Sequence, residues 1–106
     1  MPKYLIEARY TQEGVHGLLE KGGTARKNAV AALVKSVGGK LEAFYFAFGD
    51  IDAYVIADLP DAETAAALAL TVSASGAVTA KTIALLTPAE IDAAADKKVN
   101  YRPPGS

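Results

Sequence analysis

Residues 3–10, KYLIEARY, alternate along their length. Tyr4, Ile6, Ala8 and Tyr10 point one way, and Leu5, Glu7 and Arg9 the other, which predicts a strand with one apolar and one mixed face. Thr11 fits the N-cap of a short helix over 12–21, weakened by Gly14 and Gly17. After Gly22-Gly23, Thr24 suits the cap of a second helix, 25–37, with Ala29, Val30, Leu33, Val34 and Val37 forming an apolar stripe at i, i+3, i+4 spacing. Gly38-Gly39 supplies the left-handed end of that helix. Lys40 to Leu59 then reads as two strands around a tight connection at Gly49-Asp50, because aromatic and β-branched residues favour strands while Gly and Asp mark turns.

Pro60-Asp61 opens an alanine-rich helix over 61–75, ended by Gly76. Residues 77–86, AVTAKTIALL, predict a fourth strand. Thr87-Pro88-Ala89-Glu90 carries an N-cap threonine, proline at the first helical position and the glutamate of a capping box, so a short helix should run to about Asp96. The two adjacent prolines predict an extended tail over 97–106. The order β-α-β-β-α-β defines one α+β, ferredoxin-like domain over residues 1–96, with a four-stranded antiparallel sheet and helices on one face.

Such a sheet leaves its second face without helices. In the first hairpin strand, Phe44, Phe46 and Phe48 alternate with Leu41, Ala43, Tyr45 and Ala47. Small residues suit the space beneath helices, so the expectation is a phenylalanine row on the open face. The alternative places the Phe row under the helices and the Tyr/Ala row outside. The facing of Tyr54 and Ile56 depends on the parity of the connection. Glu7, Arg9, Thr79 and Lys81 should share the open face, where Lys81 is a candidate ligand contact or part of a salt-bridge set.

Composition narrows the chemistry. Eleven basic and twelve acidic residues are scattered, which argues against nucleic acid as a partner. The chain has no cysteine, excluding disulfides and thiolate chemistry, and its one histidine rules out a histidine-rich metal site within one chain. No metal or cofactor is expected. MPKYLIEARY lacks a signal-peptide pattern, and no apolar run approaches the ~20 residues needed to cross a bilayer, so a cytoplasmic protein without a membrane partner is expected.

His16, between two weak helix positions, is a candidate general base, against the plainer reading of an exposed helix residue. Asp50 and Asp52 can act as paired carboxylates, bind a cation through their oxygens, or shape the turn, and Asp52 is a candidate ligand contact. Gly22-Gly23-Thr24 with Arg26 can offer amides and a guanidinium to an anion. Tyr10 and Tyr45 are candidates to line a pocket, and Tyr101-Arg102-Pro103-Pro104 an arm docked on a partner subunit.

Taken together, Tyr10-Thr11, Glu13-Gly14, Arg26, Gly38-Gly39-Lys40, Tyr45, Gly49-Asp50-Ile51-Asp52, Leu59-Pro60-Asp61, Leu85-Leu86-Thr87-Pro88 and the Tyr101–Gly105 tail resemble the GYD domain family. Gly49 and Asp52 look like the ends of its Gly-Tyr-Asp turn, with Ile51 at the tyrosine position. The resemblance implies a dimeric α/β barrel, two sheets packed face to face. It implies architecture rather than a reaction; related barrel families include cofactor-free monooxygenases, haem enzymes and ligand-sensing domains. The expected function is a homo-oligomeric, small-molecule-binding domain with a binding or regulatory role. The alternatives are a cofactor-independent enzyme, monooxygenase-like or an isomerase, and a structural assembly subunit.

Overall fold

A computed structural model describes residues 1–105, so the expectation for Ser106 lies outside the described residues. The elements are β1 (Lys3–Tyr10), α1 (Gln12–Lys21), α2 (Gly23–Ser36), β2 (Lys40–Phe46), β3 (Ala53–Asp58), α3 (Ala62–Ala74), β4 (Val78–Leu85) and α4 (Pro88–Ala95). The strands form one antiparallel sheet in the order β2-β3-β1-β4, the ferredoxin-like arrangement expected from the pattern.

Local chemistry sets most boundaries. Thr11, Asp61 and Thr87 cap α1, α3 and α4, accepting bonds from Gly14, Thr64 and Glu90 amides; Thr87 and Glu90 complete the capping box. Thr24 does not cap α2. The chain swings at Gly22 with φ +87°, whose amide closes α1 on the Leu18 carbonyl at 2.7 Å while α2 starts at the next residue. That positive φ suits glycine, so Gly22 serves both helices and Thr24 falls inside the first turn. At the far end of α2 the Gly38 amide donates to the Lys35 carbonyl and the Gly39 amide to the Val34 carbonyl, both at 3.0 Å, a Schellman ending.

The Asp61 cap has a pH signature. Hydrogen bonds from Thr64 hold its carboxyl below the ordinary value of 3.8. A lowered folded pKa means the cap contributes fully above 3.8 and fades as pH falls through the folded value. Asp61→Asn keeps a capping oxygen without the titration. Thermal melts between about pH 5 and pH 2 should show the wild type losing stability relative to this variant. A constant difference would mean the carboxylate charge plays no part.

The helix-facing side of the sheet is built from β1 and β3. Tyr4 faces Ala57, Ile6 faces Val55 and Ala8 faces Ala53 across the ladder. Tyr4, Ala57 and Leu59 pack with Val34 of α2 and with Ala65 and Leu68 of α3. Ala8, Ala53 and Val78 form a second cluster, against which Tyr10, Phe44 and Val72 pack.

The phenylalanine row is on this side, correcting the first expectation. Leu41 faces Ala57 but Ala43 faces Ile56, so a bulge at Glu42 inserts one surplus residue. Beyond it Phe44 pairs with Val55 and Phe46 with Ala53, on the helix side of the sheet, where Phe44 is partly buried and Phe46 stays 40% exposed at the edge. The two phenyl rings meet edge to face at 5.0 Å, and Phe46 also lies under Gly23, where an added Cβ would sit 2.9 Å from its ring. Glu42 is bonded instead to Lys3 on the opposite side, at 2.8 Å, where Asp58 takes the same ammonium at 2.9 Å. The hairpin connection is also longer than the tight turn expected. Residues 47–52 form a loop closed by the Ala47 amide on the Asp52 carbonyl at 2.8 Å, and Phe48 projects into solvent.

The open face consequently has a different composition. Ala43, Ile56, Leu5 and Ile83 form one apolar row across all four strands. Tyr45, Tyr54, Glu7 and Lys81 form the next, and Arg9 faces Thr79 beyond it. Every described residue from Leu86 onward is exposed, and the tail after α4 has neither helix nor strand. The radius of gyration is 16.8 Å, above the ~13 Å of a compact chain this size, because this arm stands off the body. Among the described residues no helix is long and apolar enough to cross a membrane.

Candidate functional site

The end of β1 is fixed from two directions. The Tyr10 amide donates to Asp52 Oδ2 at 2.9 Å, and the Asp52 amide donates to the Ala8 carbonyl at 3.0 Å. Arg9 Nε donates to the Asp50 carbonyl at 2.7 Å. Asp52 thus clasps the 47–52 loop to β1 through its carboxylate and its own amide, and Asp50 contributes only a carbonyl here.

Tyr10 is thereby presented to α1 and α2. Two clefts flank it. One, of about 380 Å³, lies between α1, α2 and the start of β4, with Glu13, Leu18, Lys21, Arg26 and Val78 in its wall beside Tyr10. The other, of about 400 Å³, runs under the hairpin loop, where Val15, Phe46, Phe48 and Asp52 join Tyr10 and Leu18. Tyr10 and Leu18 are walls of both. Volumes of this order lie in the range of small-molecule sites, ~300–1,000 Å³.

Arg26, in the first turn of α2, lines the first cleft beside Tyr10. Its guanidinium carbon lies 5.7 Å from the centre of the Tyr10 ring, in cation–π range. Its Nε is buried and, among the described residues, has no hydrogen-bond partner. The ion pairs among the described residues both belong to Lys3, so Arg26 has no carboxylate partner there. A buried donor without an acceptor is unfavourable by about 1–3 kcal/mol.

The five candidate contacts therefore fall into two groups. Tyr10, Arg26 and Asp52 gather around the clefts. Tyr45 and Lys81 lie on the open sheet face, in the row with Tyr54 and Glu7. Tyr45 is strongly exposed, and Lys81 faces Glu7 across β1 and β4 without an ion pair among the described residues. His16 is exposed on α1 and lines none of the clefts described here. Among the described residues no group of three or more His, Asp or Glu side chains could hold a metal ion.

Sequence reasoning did not single out Leu18 or Lys21 for the cleft. Their signal was available: Glu13, Gly17 and Lys21 follow i, i+4, i+8 spacing, with Gly14 and Leu18 beside them, and that is one face of α1. Gly14 lets this face come close. A Cβ built there would lie 2.1 Å from the Ala77 carbonyl oxygen at the start of β4.

Fold and site together define a ferredoxin-like α+β domain with a cleft beneath its first two helices. The GYD domain family model matches residues 4–95, and the chain belongs to that family. No curated protein matches it significantly.

Proposed function

We propose that the protein is a homo-oligomeric domain that binds a small molecule in the cleft beside Tyr10 and Arg26, in a binding or regulatory role. The observation that carries this reading is the Arg26 guanidinium, which lies over the Tyr10 ring in the wall of a cleft of about 380 Å³ and has no carboxylate partner among the described residues. Native mass spectrometry of the purified protein should find a co-purified or added ligand of less than a few hundred daltons. Its loss in a folded Arg26→Leu variant would place it in this cleft. Retention of the same ligand in that variant would put the site elsewhere.

The assembly rests on the other face of the sheet. A row made of Ala43, Ile56, Leu5 and Ile83 lies on the face opposite the helix-packed core among the described residues, and two copies related by a two-fold axis can cover it with the same row. The flanking Glu7 and Lys81 would pair across such an interface or bound its rim. Ile56→Asp should turn a wild-type dimer into a monomer by analytical ultracentrifugation at micromolar concentration. A wild-type monomer, or a dimer indifferent to this charge, would remove the open face from the assembly.

A further inference from the structure

We infer that the cleft is selective for a small organic acid, a carboxylate on a compact apolar body. The inference rests on the ligand-binding reading above and adds the chemical class. Three features of the cleft converge on it.

The first is the charge in the wall. Lys21 and Arg26 face a single acid, Glu13, so the lining carries an excess of positive charge. Neither cation is engaged in an ion pair among the described residues. The second is the geometry of Arg26. Its guanidinium carbon lies over the Tyr10 ring, 5.7 Å from the ring centre, at the wall of the cleft. A planar fork is matched by the two oxygens of a carboxylate, which the terminal nitrogens of Arg26 would receive, its Nε being buried. The third is the remainder of the wall. Leu18, Ala25, Ala29 and Val78 are apolar and small, which suits a short hydrocarbon or a single ring. A bare inorganic anion would satisfy Arg26 and leave this apolar surface wet.

The test compares benzoate with benzamide, which has the same ring and no charge, and with inorganic phosphate, which has charge and no ring. Binding is read on the full chain by amide chemical shifts across Gly14 to Arg26. Benzoate should move these resonances and bind about tenfold or more tightly than benzamide, the difference expected of a charge-assisted contact. Phosphate should be weaker than benzoate. Arg26→Lys keeps the charge but loses the fork, and should reduce the preference for benzoate; Arg26→Leu should abolish it. Thermal melts establish that each variant is folded. Equal binding of benzoate and benzamide overturns the class while leaving the binding site in place. Phosphate binding as tight as benzoate also overturns it. No response of these amides to any of the three probes overturns both the class and the site.

Discussion

Leu59→Ala should lower folding stability by about 2–5 kcal/mol, the range for emptying a fully buried leucine site. Leu59 has no exposed surface and sits where β3 leaves the sheet, packed among Tyr4, Val34, Ala65 and Leu68. Its surroundings are ill placed to collapse into the vacated space. Its own amide is tied to the Pro2 carbonyl at 3.0 Å, and Gly39 is so close that an added Cβ would lie 2.8 Å from the leucine Cδ2. A domain of this size has about 5–15 kcal/mol in total, so the variant will be partly unfolded at body temperature if the wild type is at the low end. Leu70→Ala, on the exposed side of α3, provides the control and should change stability by no more than about 0.5 kcal/mol. Urea titration of both variants measures the difference. A Leu59→Ala loss no greater than that of Leu70→Ala would show that β3 does not enter the core as described.

The second large effect is a pair of opposite signs within α1. Gly14→Ala places a methyl 2.1 Å from the Ala77 carbonyl, a backbone atom held by the Thr11 amide at 3.0 Å, so the helix must move off β4. Overpacking of this kind is unfavourable by about 1–3 kcal/mol, and it should also weaken binding in the cleft, because Gly14 and Ala77 are both part of its wall. Gly17→Ala meets nothing within 4 Å. It should stabilise the helix by about 0.5–1 kcal/mol, since alanine loses less backbone freedom than glycine in a helix. Thermal denaturation of the two variants side by side decides it. Two shifts of the same sign would mean that α1 does not approach β4 at Gly14.

Much of the fold was legible because helix ends are written in local chemistry. Thr87-Pro88-Ala89-Glu90 and Gly38-Gly39 form the cap and the ending that their residue types predict, since each depends on hydrogen bonds within a few positions. The faces of β2 were less legible. Alternation from Leu41 assigns Phe44 and Phe46 by counting, and nothing in KLEAFYF marks Glu42 as a residue to be skipped. What selects the bulge is tertiary: Lys3, whose ammonium Asp58 shares, draws Glu42 to the open side, and Phe46 fills the space under Gly23. The candidate site was legible in part for a related reason. Arg26 and Tyr10 could be named from their neighbours in sequence, whereas their approach to each other depends on the swing at Gly22. The grouping of Tyr45 and Lys81 away from them follows from strand register, which is not a local property.

The bulge at Glu42 gives β2 something like a reading frame. Strand positions are assigned to faces in steps of two, so one surplus residue offsets every position after it. Loss or gain of a single residue between Leu41 and Phe46 would exchange the phenylalanines for the tyrosine and alanine beneath the helices, while a change of two would leave the assignment intact. Length variation in this strand is therefore constrained by parity more than by size. When relatives are aligned to this chain, the face of each β2 residue should be counted from the Phe44–Val55 pair, downstream of the offset, and not from Lys40.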